Sequence, residues 1–169
     1  MKKILFCLLI FLSGCVGIPD TVEPVKGFDV NRYLGRWYEI ARLDHSFERG
    51  LEKVTAEYSL REDGVIKVVN RGFNPEKKTW KKAVGKAYFL GDPNIGRLKV
   101  SFFGPFYGSY NIVDLDKENY LYSLVCGPDR NYLWILAREP VLAESVKERL
   151  IDKAKTLGFK TEQLILVAH

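Results

Sequence analysis

The chain has 169 residues, 47% apolar, 13% aromatic and 28% charged, which suits one domain with a full core, is too short for two, and excludes a disordered chain. Twenty-six Lys and Arg against 21 Asp and Glu give a net charge of +5 without a long block of one sign, which argues against a nucleic-acid partner. Three cysteines, Cys7, Cys15 and Cys126, are too few and too scattered for a disulfide framework or a four-cysteine zinc site.

Met1 to Cys15 begins with Lys2 and Lys3, runs apolar from Ile4 to Leu12 and ends Leu12-Ser13-Gly14-Cys15. As a helix the apolar run would be about 14 Å long, roughly half of a bilayer core, so it is too short to span one. A charged start, a short apolar stretch and small residues before a cleavage point form a secretory signal. The Leu-Ser-Gly-Cys ending resembles the bacterial lipobox, which implies an acylated Cys15. Residues 1–14 are then a lipoprotein signal peptide, 15–27 a tether stiffened by Pro19 and Pro24, and 28–169 the folded domain. Acylation would anchor the chain to a membrane. By the same resemblance, Val16 in place of Asp after the cysteine implies the outer membrane, facing the periplasm.

From Trp37 to Arg138 the chain alternates short segments rich in Val, Tyr, Phe and Ile with clusters of Gly, Pro, Asn and Asp, the pattern of an all-β domain. The expected strands are Trp37 to Arg42, Val54 to Leu60, Val65 to Phe73, Trp80 to Leu90, Arg97 to Phe103, Ser109 to Leu115, Tyr120 to Cys126 and Tyr132 to Arg138. Asp63-Gly64 marks a tight hairpin. Helical periodicity appears after Pro140, through Leu150, Ile151, Ala154 and Leu157, and stops at Gly158; a short strand, Gln163 to Val167, follows. Eight sequential antiparallel strands favour an up-and-down barrel with the helix on its outside, because closure removes the sheet edges.

Side chains alternate across a strand, so charged residues mark the outer face. Arg97 and Lys99 leave Leu98, Val100 and Phe102 inside; Lys82 and Lys86 leave Ala83, Gly85, Ala87 and Phe89 inside; Thr55, Glu57 and Ser59 leave Val54, Ala56, Tyr58 and Leu60 inside. An eight-stranded barrel either fills itself or holds one small ligand, and the small inward residues argue for room. The expected lining is Val54, Ala56, Tyr58, Ile66, Val68, Ala87, Phe89, Leu98, Val100, Phe102, Tyr110, Ile112, Trp134 and Leu136. Such a wall suits an acyl chain, at about 0.8 kcal/mol for each buried methylene.

Three segments carry a family resemblance. Asn31-Arg32-Tyr33-Leu34-Gly35-Arg36-Trp37-Tyr38 resembles the first lipocalin signature, Asp114-Leu115-Asp116 with Tyr120 the second, and Trp134-Ile135-Leu136-Ala137-Arg138 the third. Val100 to Gly108 and Val125 to Asp129 are similar to the bacterial outer-membrane lipoprotein lipocalins. The resemblance implies that Gly35, Trp37, Asp116 and Arg138 build the closed end, with the Arg138 guanidinium on the Trp37 indole. That placement turns Trp134 and Leu136 into the cavity and leaves the facing of Ser123 to Cys126 open. The resemblance also implies fatty acids or lysophospholipids as ligands, bound and stored or transported in the cell envelope.

Arg42, Asp44, His45, Glu48 and Arg49 are placed to meet a head group at the open mouth, where Phe47, Leu51, Phe73, Phe103, Phe106 and Tyr107 add apolar surface. That surface fits a gate on the ligand, a membrane-touching rim or a homodimer contact. No nucleophile elbow, histidine-rich metal spacing or phosphate loop is present, so neither an enzyme nor a cofactor nor a bound metal is expected, and Cys126 is read as a buried inert thiol. The competing reading is an envelope-stress or interaction lipoprotein whose loops bind a protein partner.

Overall fold

The computed structural model describes residues 16–169; the signal segment and Cys15 lie outside the described residues. Alternating apolar and polar side chains form eight long strands: β1 (Gly35–Arg42), β2 (Glu52–Leu60), β3 (Ile66–Asn74), β4 (Thr79–Phe89), β5 (Arg97–Phe103), β6 (Phe106–Leu115), β7 (Tyr122–Cys126) and β8 (Leu133–Ala137). Each pairs antiparallel with the next, and β1 pairs with both β8 and β2, so the sheet closes into a barrel. A four-residue helical turn, α1 (Val30–Tyr33), precedes β1; no periodicity announces it, because Asp29 caps it by accepting from the Asn31 N–H at 2.9 Å. Two-residue β9 (Ile165–Leu166) pairs with the upper half of β1, beside Ala41 and Arg42, where β2 has diverged from β1.

The helix α2 (Glu144–Thr156) lies on the outside of the barrel and stops at Gly158, whose φ of +84° suits a residue without a Cβ. Leu150 and Ala154 are buried with Leu124, Cys126, Leu133, Ile135 and Ala137 in an outer core. A second core lies inside the barrel, with Trp37, Tyr58, Val68, Leu98, Ile112, Val125 and Leu136 among its members. These two sets answer the question of facing in β7: Leu124 and Cys126 point to the helix, Ser123 and Val125 to the interior.

The segment expected as a spacer lies along the barrel wall. Val22 is buried, the Val25 N–H donates to the Ile112 carbonyl at 2.8 Å, and the Val25 carbonyl accepts from Gly96 at 2.9 Å. Gly96 permits this approach, since a Cβ there would lie 2.9 Å from Val25 Cγ2. Arg130 Nη2 donates to the Asp20 carbonyl at 2.7 Å and its Nε to Leu157 at 2.9 Å, joining this strap to the helix end. The described residues therefore close their own sheet, bury both cores and tie down their own N-terminal segment, and residues 16–169 form a self-contained folding unit.

Candidate functional site

At one end of the barrel α1 and the β6–β7 turn form a floor. Trp37 is 0% exposed, its Nε1–H donates to the Tyr33 carbonyl at 2.8 Å, and the Arg138 guanidinium lies 4.0 Å from its ring centroid. Arg138 also donates to the carbonyls of Arg32 at 2.8 Å, Arg36 at 2.9 Å and Tyr120 at 3.2 Å, so one planar cation closes three chain segments over the indole. Gly35 has a φ of +92° and passes beneath that guanidinium. Asp116 holds the β6–β7 turn by accepting from the N–H groups of Glu118, Asn119 and Leu121 at 3.2 to 3.3 Å.

Above the indole stands a cluster of phenols. Tyr33 Oη is 2.7 Å from Tyr110 Oη and 3.1 Å from Ser123 Oγ, and Tyr58 Oη donates to Tyr110 at 3.0 Å. Burial pushes the Tyr33 phenol up to about 12 and those of Tyr58 and Tyr110 well above their ordinary value of 10, so all three remain neutral donors.

Thirteen of the fourteen residues expected to line the cavity belong to the inner core or pack against it; Val54 is buried beside Gly72 and Leu51. Ala56, Phe89, Val100, Phe102, Tyr110 and Trp134 pack against the inner core and yet remain partly accessible to solvent. Ala56, Asn70 and Ala83 sit side by side across β2, β3 and β4 and leave a shallow wall. Two positions expected to face the interior differ from expectation. The space left by Gly85 is taken by the Phe102 ring, which a Cβ at Gly85 would approach to 2.8 Å, and Leu60 lies on the projecting β2–β3 hairpin, 45% exposed.

The largest departure is near the mouth. Arg42, His45 and Glu48 do not stand in solvent to meet a head group: Arg42 is 2% exposed inside the barrel and His45 and Glu48 are buried. Arg42 Nη1 donates to Glu39 Oε1 at 2.7 Å, and its Nη2 to the carbonyls of Glu48 at 2.9 Å and Leu51 at 3.2 Å, pinning the first loop. Glu48 Oε2 lies 2.9 Å from His45 Nε2 and accepts from Trp134 Nε1 at 3.1 Å. His45 packs its ring edge against Trp134, centroids 5.2 Å apart. Burial and the neighbouring Glu48 raise the Glu39 carboxyl well above its ordinary value. Burial works on Glu48 in the same direction, but the hydrogen bonds from His45 and Trp134 outweigh it and leave that carboxyl lowered. Asp44 and Arg49 alone of this group are exposed, paired at 2.7 Å.

Sequence reasoning missed Glu39, although its place two residues after the inward Trp37 carried the signal. Arg42 follows a register shift between Glu39 and Ala41, which inserts Ile40 and reverses the alternation. At the rim Phe47, Phe103 and Phe106 are exposed, as expected, whereas Leu51 is buried and Phe73 and Tyr107 are half-buried. Cys126 is fully buried under α2, with its thiol pushed up to about 12 by burial, and faces away from the interior.

A family model described as a lipocalin-like domain matches residues 28–169. The chain belongs to the lipocalin family. Among lipocalins it is 55% identical to the outer membrane lipoprotein Blc of Vibrio cholerae, over 94% of this chain and 92% of that one. It is 56% identical to the outer membrane lipoprotein Blc of Escherichia coli K12, over 88% and 84%. Mouse apolipoprotein D is 32% identical over 93% of this chain and 92% of its own. The lipocalin barrel also superposes on insecticyanin from the tobacco hornworm, with a TM-score of 0.72 at 22% identity over 90% of this chain and 87% of that one, a likeness of fold.

Proposed function

We propose that this lipocalin is anchored to the outer membrane through an acylated Cys15, faces the periplasm, and binds a fatty acid or lysophospholipid that it stores or transports. The observation that carries the reading is the inward apolar wall above the phenols, where Ala56, Val100, Phe102 and Trp134 pack against the inner core without being fully buried. An acyl chain would lie against this wall, held by burial alone. The floor offers it neutral hydroxyls at Tyr110 and Tyr58. The Leu12-Ser13-Gly14-Cys15 ending and the names of the Vibrio and Escherichia relatives support the anchor and the compartment.

Binding rather than catalysis is favoured by the chemistry present. The one cysteine of the domain points under the helix, and the acids and the histidine near the mouth are consumed in holding Arg42 and the first loop. Native mass spectrometry of residues 16–169, freed of lipid and then supplied with a lysophospholipid or a fatty acid, should show a one-to-one adduct. Absence of any adduct would favour a loop-binding interaction lipoprotein instead.

A further inference from the structure

The wall of the barrel opposite α2 carries a pattern that ligand binding does not use. On the outward face of β3 and β4 the cross-strand neighbours are Lys67 with Lys86, Val69 with Val84, Arg71 with Lys82, and Phe73 with Trp80. Rows of two cations thus alternate with rows of two apolar residues, and no acid stands on either outward strand face. Among the described residues no carboxylate lies within 4.0 Å of these four cations; Glu57, on neighbouring β2, is engaged with Arg36 at 4.0 Å. Like charges placed directly opposite each other destabilise a sheet, and aliphatic or aromatic side chains standing in water gain nothing there. Trp80 is nevertheless 61% and Val84 51% exposed. Both costs vanish at an anionic bilayer surface, where phosphates meet the cations, lysine stems lie along the acyl boundary and an indole sits at head-group depth.

A further observation points the same way. Above the Lys86–Ser101 pair β4 and β5 separate, and a groove of about 510 Å³ opens to the outside, with Lys67, Lys86 and Arg61 around Val84 and Phe102. The strap reaches its described end beside β5 and β6, the Val16 carbonyl lying 3.5 Å from Nη2 of Arg97 and the Gly17 carbonyl 3.4 Å from Nδ2 of Asn111. If the anchor proposed above is correct, the membrane attachment begins one residue away.

We infer that the outward β3–β4 face, with Arg97 and Lys99 of β5 beside it, docks on the head groups of an anionic phospholipid bilayer. The contact is independent of what the barrel holds, so it is tested without acylation and without a ligand. Residues 16–169 should co-sediment with vesicles of phosphatidylcholine and phosphatidylglycerol in equal parts and not with phosphatidylcholine alone, and about 1 M salt, where screening acts within about 3 Å, should release them. The decisive variant is Lys82→Glu with Lys86→Glu, because each new carboxylate faces a cation, Arg71 and Lys67, and the sheet is expected to melt no lower than the parent. It should bind the mixed vesicles at least about tenfold more weakly. Trp80→Ala should weaken binding as well. Lys153→Glu with Lys155→Glu, the same charge change on α2, should leave binding as it was. The inference is overturned if the domain binds neither vesicle or binds both alike, if the β4 variant sediments like the parent, or if the α2 variant loses as much. A retained one-to-one lipid adduct in the β4 variant separates this failure from failure of the carrier reading.

Discussion

Trp37 and Arg138 share one contact surface, and their contributions are expected to differ in kind. Trp37→Ala removes a fully buried indole and should lower stability by about 3–5 kcal/mol in urea titrations. Arg138→Lys keeps the charge but cannot reach three carbonyls at once, so it should also destabilise the domain. At the mouth the test is a pH series. The lowered Glu48 carboxyl contributes stability that is fully present above its ordinary value of 4.5 and disappears as pH falls through its folded value. Glu48→Gln should therefore be less stable than the parent by about 1–3 kcal/mol at neutral pH, and the gap should close on acidification. Trp134→Phe, which keeps a ring and loses the Nε1 donor, separates the hold on Glu48 from the wall offered to a ligand. If the proposed site is right, it should retain the lipid adduct that Trp134→Ala weakens.

The elements show how far side-chain patterning reaches. Alternation located all eight long strands to within a few residues, and the charged positions Lys82, Lys86, Arg97 and Lys99 assigned the faces of β4 and β5, because a lysine or arginine on a closed barrel has only one side with water. Parity failed where the backbone departs from it. The inserted Ile40 turns Arg42 inward, and nothing in the residue types marks that insertion. The buried His45 was illegible for a different reason: its place is fixed by Trp134 and Glu48, and no local rule pairs a loop with a distant strand. Likewise two prolines suggested a spacer, while the backbone partners that hold the strap down, Ile112 and Gly96, lie far along the chain. Gly85 is the element-scale test. A methyl there would meet the Ser101 carbonyl at 2.7 Å and the Phe102 ring at 2.8 Å, so Gly85→Ala should cost about 1–3 kcal/mol through strain between β4 and β5, read as a lower melting midpoint.

For the whole molecule, the interior has a vertical order: a cation on an indole, then neutral hydroxyls, then an apolar wall, then a buried ion cluster at the first loop. Three raised phenols make the order sensitive to alkali. An unfolded chain ionises Cys126 near pH 9 and its tyrosines near pH 10 while the folded protein holds these groups protonated, so stability should begin to fall near pH 9 and fall more steeply above pH 10. The slope should approach about 1.4 kcal/mol per pH unit for each phenol, and Tyr58→Phe should reduce it.

The strap finally sets how the domain can move. A free spacer of a dozen residues would let a barrel wander through tens of ångströms of periplasm and meet lipid by diffusion in three dimensions. With that length laid against the barrel and hydrogen-bonded to Ile112 and Gly96, no slack remains for such excursions. If the proposed anchor and carrier role hold, a protein held this way would search a leaflet as a skater searches ice, sampling neighbours by lateral drift, and its cargo would come from the leaflet it rides on.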